Sequence, residues 1–173
     1  MREVILLNGP PGAGKTTAAR ALSALVPGTV GISGDAVRAF APHEARDHLG
    51  PGSTYGALSA LIEYYLELGA PRVIADYVFT RPAHIARARE RVPPSSRVAV
   101  FTLWADLPIL LARARQRGRG PESPDAVERT WREIAEHLPG LGTTIDASGP
   151  VADTVARIVE ALRQDRSGGS GGV

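Results

Sequence analysis

Apolar residues fall into two kinds of segment along this chain, short unbroken runs and longer stretches with helical spacing. Val4-Ile5-Leu6-Leu7 is a continuous run of the sort that suits a strand buried on both faces of a parallel sheet. Runs of this kind predict strands at 4–7, 29–32, 72–75, 97–103 and 143–145. Between them, apolar residues recur three and four apart. Tyr55, Leu58, Ile62, Tyr65 and Leu66 share one face; so do Val127, Trp131, Ile134 and Leu138, and then Val151, Val155, Ile158, Val159 and Leu162. Helices are predicted at 15–25, 35–40, 55–68, 82–91, 107–117, 125–138 and 151–164, with these stripes forming core. Alternation of strands and helices predicts an α/β fold, a doubly wound five-stranded parallel sheet with helices on both faces. Ligand is then expected at the carboxyl ends of the strands. No repeat or domain boundary interrupts the pattern. Residues 1–164 read as one domain and 165–173, rich in Gly and Ser, as a flexible tail.

The turn after the first strand carries the most specific signal. Gly9-Pro10-Pro11-Gly12-Ala13-Gly14-Lys15-Thr16 matches the phosphate-binding pattern G-x-x-x-x-G-K-[ST], and good helix material without Gly or Pro follows it. In a strand–loop–helix arrangement, the backbone N–H groups of Gly12, Ala13, Gly14, Lys15 and Thr16 point at phosphates, with Gly9 and Thr17 bounding the cradle. Lys15 is the one lysine among 20 basic residues. Elsewhere positive charge is always Arg, yet where a compact ammonium must reach β- and γ-phosphate oxygens the chain has Lys. The Thr16 hydroxyl is expected to ligate Mg²⁺. A nucleoside triphosphate is the expected ligand.

Composition narrows the reading further. A formal net charge of +2 is too mild to argue for nucleic acid, and the absence of cysteine rules out disulfides and thiolate metal sites. The most apolar stretch, 98–112, is broken by Asp106 and Pro108 and is unsuited to a bilayer. With a strand starting within three residues of the N-terminus, no signal peptide is expected, and a soluble cytoplasmic protein without membrane contact is. Asn8 is the one asparagine and Lys15 the one lysine, so the guanine-reading N-K-x-D motif cannot form and a GTPase is not expected.

Further candidates lie at later strand ends. Asp35 follows the second strand, where a carboxylate can take a proton from, or orient, a hydroxyl attacking the γ-phosphate. The alternative is a simple N-cap for the next helix. Arg38, one turn on, would hold an anionic or polar substrate group or sit on the surface. Val73-Ile74-Ala75-Asp76 is the Walker B pattern, and Asp76 would meet the metal through a water. Tyr77 and Phe79 would wall an acceptor pocket, or pack beneath the next helix. Arg113, Arg117 and Arg119 form a basic cluster whose Gly-flanked end reads as a loop closing on the γ-phosphate, or else as a solvated face.

Together these residues resemble the small P-loop kinases that phosphorylate hydroxyl groups, over about residues 3–163. Gly34-Asp35-x-x-Arg38 resembles the segment of adenylyl-sulfate kinases and phage-type polynucleotide 5′-kinases in which the matching Asp meets the acceptor hydroxyl. Gly50-Pro51-Gly52, Ala57-Leu58 and the run from Arg72 to Phe79 resemble chloramphenicol phosphotransferases more closely, though those carry no Arg matching Arg38. Residues 40–56 match none of these well enough to transfer substrate contacts. The resemblance implies a P-loop NTPase fold, ATP and Mg²⁺ as cofactors, and Asp146 in the loop that cups the adenine. It also implies transfer to a small-molecule hydroxyl, antibiotic- or metabolite-like, with Asp35 as base and Lys15, Arg113 and Arg117 on the phosphates. A nucleoside or polynucleotide 5′-kinase is the rival enzyme. The rival of another class is an ATP-binding regulator with slow hydrolysis, which would not need a carboxylate aimed at an acceptor.

Overall fold

The computed structural model describes residues 2–50, 52–116 and 123–168, the last three by backbone alone. Its strands are β1 (Glu3–Asn8), β2 (Val30–Ser33), β3 (Arg72–Asp76), β4 (Arg97–Trp104) and β5 (Thr143–Asp146). All pair in parallel, in the order β2-β3-β1-β4-β5. Each of the five runs picked out by hydrophobicity became a strand.

β1 lies at the centre with every residue buried, which is why Val4 to Leu7 are apolar without alternation. Its side chains still alternate between faces. Ile5 and Leu7 join a core with Ala18 and Leu22 of α1 (Lys15–Ser23), Leu110 of α6 (Leu107–Gln116) and Ile158 of α8 (Val151–Gly168). Val4 and Leu6 join the opposite core with Val37 of α2 (Gly34–Ala39), Leu58, Ile62 and Leu66 of α4 (Ser53–Glu67), and Ile85 of α5 (Pro82–Arg89). α7 (Pro124–His137) contributes Val127 to the first core and Ile134 to the second. The expected stripes are the buried faces.

Two elements differ from expectation. α3 (His43–Leu49) is an extra helix with no buried residue, so it left no apolar stripe to be read. α8 continues to Gly168, through 165–168, which composition had assigned to the tail. At the amino ends of the strands, buried Glu3 pairs with Arg72 (Nε to Oε2, 2.7 Å) and with Arg97 (3.2 Å). Among the described residues, no helix is long and apolar enough to cross a membrane.

The strand order splits the chain at β1. It goes out to the β2 edge, returns through β3 to the side of β1, and continues on the other side with β4 and β5. Loops after β1 and β4 therefore diverge, and the crevice between them opens at the carboxyl edge.

Candidate active site

The loop after β1 is shaped by its glycines. Gly9 (φ +143°), Gly12 (φ +87°) and Gly14 (φ +89°) occupy backbone conformations that L side chains rarely adopt. Gly9 also has no room for a side chain, since a Cβ there would lie 2.4 Å from the Leu103 carbonyl oxygen. Gly14 is the N-cap of α1, so the first amides of that helix are free of side-chain caps and face the loop. Lys15 Nζ donates to the carbonyls of Gly9 (2.8 Å) and Pro10 (3.1 Å), laying the ammonium across the loop mouth.

At the end of β3, the structure brings Asp76 to Thr16. The Thr16 hydroxyl donates to Asp76 Oδ2 at 2.7 Å, joining two residues 60 positions apart in the chain. Asp76 is only 4% exposed, and burial pushes its carboxyl above the ordinary carboxylate range. The Thr16 hydrogen bond and the Lys15 charge act the other way, and the nearby Asp35 charge adds to the rise. Two hard oxygen donors side by side suit Mg²⁺, which keeps several waters and takes one or two protein oxygens beside substrate phosphates. Among the described residues, no group of three acidic, His or Cys side chains offers a fuller metal cage.

Asp35 lies in the first turn of α2, exposed, at the carboxyl end of β2, where Ser33 pairs with Asp76 across the sheet. The N-cap is Ser33, so Asp35 is not the capping residue. Gly34 is required by packing, because a Cβ there would sit 2.4 Å from the Tyr77 ring. That contact seats α2 on Tyr77 and brings Asp35 and Arg38 into its electrostatic surroundings. Tyr77 also meets Thr54, and burial raises its hydroxyl pKa.

Of the two places open to Phe79, a pocket wall or packing beneath the next helix, the structure gives the second and corrects the first. Phe79 is 0% exposed and packs in the core beside Tyr55, at a ring separation of 5.7 Å. Its backbone N–H donates to Asn8 Oδ1 (2.7 Å), while Asn8 Nδ2 donates to Thr102 (3.0 Å). Phe79 is thus tied beneath the site by Asn8, a buried residue that links three segments. Tyr55 supports the same floor, donating to the Val78 carbonyl (3.1 Å) and stacking on His84.

Arg113 also departs from its expected place. Its Nη1 donates to the carbonyl of Ala147 (2.8 Å), and its Nη2 to those of Ser148 and Gly149 (2.9 Å each). With both amino groups held by the loop between β5 and α8, Arg113 braces that loop instead of reaching toward a γ-phosphate. Asp146 is exposed and shapes the same loop by accepting from the Ser148 amide at 2.9 Å, which lowers its pKa. Arg117 and Arg119 lie outside the described residues.

Tyr77 and Arg38 line a cleft of about 460 Å³ whose further lining, Arg46, Ser53 and Thr54 among it, sequence reading did not single out. Three of its eight described lining residues, His43, Arg46 and Asp47, come from α3, which carries no hydrophobic signature. The bracketing by Pro42 and Gly50 was the one available signal.

A family model described as an AAA domain matches residues 4–141. No curated protein sequence is significantly similar to the chain. Among solved structures, a gluconokinase from Sinorhizobium meliloti 1021 is similar at TM-score 0.68 and 18% identity, covering 95% of this chain and 99% of that one. The tunicamycin resistance protein of Deinococcus radiodurans is similar at 0.69 and 23%, over 94% and 96% of the two chains. A chain of an RNA repair complex is similar at 0.66 and 15%, over 80% of this chain and 45% of that one. At these identities the likeness establishes the fold alone, that of the P-loop NTPases.

Proposed function

The chain belongs to the AAA domain family, and from that premise and its fold we propose that it is an ATP- and Mg²⁺-dependent phosphotransferase acting on a small-molecule hydroxyl. The observation that carries the reading is the placement of Asp35. It is an exposed carboxylate in the first turn of α2, and its charge acts both on Asp76, the partner of Thr16, and on Tyr77 of the cleft. A hydrolytic switch has no use for a base aimed at an acceptor.

In this mechanism the amides of Gly12 to Thr16 and the Lys15 ammonium hold the triphosphate. Lys15 exchanges its carbonyl partners on Gly9 and Pro10 for phosphate oxygens. Thr16 and Asp76 would hold Mg²⁺, Asp76 through a water, and the ion would neutralise charge on the β- and γ-oxygens. Asp35 accepts the acceptor's hydroxyl proton as its oxygen bonds to the γ-phosphorus and the bond to the β–γ bridging oxygen breaks. Arg113 holds the loop at 147–149 in shape for the base. Charge on the departing γ-phosphoryl is left to Lys15 and the proposed lid arginines Arg117 and Arg119.

The gluconokinase, the tunicamycin resistance protein and the RNA repair chain share this fold, so fold alone leaves sugar-like, antibiotic-like and polynucleotide acceptors in play. ADP release measured with ATP, Mg²⁺ and a panel of alcohols, sugars, antibiotics and nucleosides tests the reading. Acceptor-dependent release is expected. Slow release indifferent to every acceptor would overturn it in favour of a regulator.

A further inference from the structure

The cleft beside Tyr77 has a chemistry of its own. Arg38 of α2 and Arg46 of α3 both line it, with the hydroxyls of Ser53, Thr54 and Tyr77 and with His43 and Asp47. Both guanidinium charges act on the Tyr77 hydroxyl, which shares the lining with them. Asp47, the one carboxylate among the described lining residues, is engaged with His43 Nδ1 at 3.1 Å. Among the described residues, neither Arg38 nor Arg46 has an ion pair or hydrogen bond, whereas buried Arg72 and half-buried Arg97 share Glu3. The cleft therefore holds two guanidinium groups that no ion pair among the described residues engages.

A neutral acceptor filling this volume would strip water from both and return no charge, an unfavourable exchange. A planar oxyanion would meet two N–H forks of matching geometry. The hydroxyls of Ser53, Thr54 and Tyr77 would serve the polar remainder of such a molecule. Building on the phosphotransferase reading, we propose that the acceptor is a small hydroxylated anion, a carboxylate or phosphate ester. Its charged group is held by Arg46 and Arg38 while its reacting hydroxyl lies toward Asp35. Arg46 is the residue specific to the anion, since it stands on α3, a helix that contributes nothing to the core.

The test reads binding without phosphoryl transfer. With the nucleotide site saturated by a non-hydrolysable ATP analogue and Mg²⁺, affinities are measured calorimetrically for gluconate, glucose 6-phosphate and glucose. At least one of the two anions is expected to bind about tenfold or more tightly than glucose, the scale of one charge-assisted hydrogen bond. Which of the two is preferred separates carboxylate from phosphate. Arg46→Ala is expected to remove that preference and Arg46→Lys to restore part of it, with the melting temperature as the check on folding. No preference for either anion, or a preference that survives Arg46→Ala, overturns the proposal. Tighter binding of a 5′-hydroxyl oligonucleotide than of either small anion overturns it in favour of a nucleic-acid acceptor. An anion that binds in this way but never accepts phosphate defeats the phosphotransferase reading and leaves the subsite standing. Turnover of neutral acceptors alone does the reverse.

Discussion

Asp35, Asp76 and Lys15 are the residues to which the proposed chemistry assigns a side-chain role, and each has a distinct signature. Asn at position 35 is nearly isosteric but cannot take a proton. Since Ser33 and not Asp35 is the N-cap, Asp35→Asn is expected to leave the melting temperature unchanged and to lower kcat by about 10²–10⁴-fold. A fall in stability with turnover intact would show a structural role instead. Asp76 behaves differently because burial raises its pKa. The folded protein holds that proton to a higher pH than the unfolded chain, whose carboxyl titrates near 3.8. Stability from this group is thus complete below the unfolded value and lost as pH rises through the folded one. Asp76→Asn relieves that cost. Its melting temperature at pH 7 without Mg²⁺ is expected to equal or exceed the parent's, while Mg²⁺-dependent turnover falls by about 10²–10³-fold. For Lys15→Arg, the wide planar fork is expected to fail where the ammonium fits, with phosphoryl transfer lost and circular dichroism unchanged. Near-normal turnover would refute the steric argument.

At the scale of elements, the loop between β5 and α8 depends on a helix it does not adjoin in sequence. Three carbonyls, of Ala147, Ser148 and Gly149, are gathered by Arg113 at the end of α6. If that loop cups the base, Arg113→Ala loosens a ground-state contact. The expected kinetic result is a KM for ATP raised about tenfold with kcat changed less than threefold, the scale of losing a charged hydrogen bond. A kcat loss larger than the KM change would return Arg113 to the transition state. α2 is the complementary case. Its position is fixed by contact between Gly34 and the Tyr77 ring, so the helix bearing Asp35 and Arg38 is aligned by packing against the residue that follows β3.

For the whole molecule, the two cores on either face of β1 hold the sheet while its two ends do different work. At the amino end, Glu3, Arg72 and Arg97 close a buried ionic cluster far from any ligand. Glu3→Ala leaves the Arg72 guanidinium, 8% exposed, without its carboxylate, and is expected to cost about 3–5 kcal/mol in denaturant unfolding. The nucleotide KM of the folded fraction is expected to stay at the parent value. At the carboxyl end, polar groups are left exposed or engaged with one another across the crevice, where ligand can displace them.

Local pattern determined the strands, most of the helices and the phosphate loop of this protein, because each is written in a contiguous stretch. An unbroken apolar run marks a strand buried on both faces, a three-and-four spacing marks a helix with one core face, and G-x-x-x-x-G-K-T marks a backbone that must take positive φ. Lys15, Thr16, Asp35 and Asp76 were legible because they sit at fixed offsets from such runs. What escaped depends on residues far apart in the chain. Helix α3 buries nothing, so no apolar period announced it, and with it went Arg46 and one wall of the cleft. Phe79 looked exposed beside a strand end, but Asn8, 71 positions away, ties its backbone into the core. Arg113 looked like part of a mobile basic cluster until the fold placed three carbonyls, 34–36 positions on, within its reach. Sequence spacing fixes which way a side chain leaves its own element. Only the tertiary structure decides what it meets there, because hydrogen-bond partners and desolvation come from other segments of the chain.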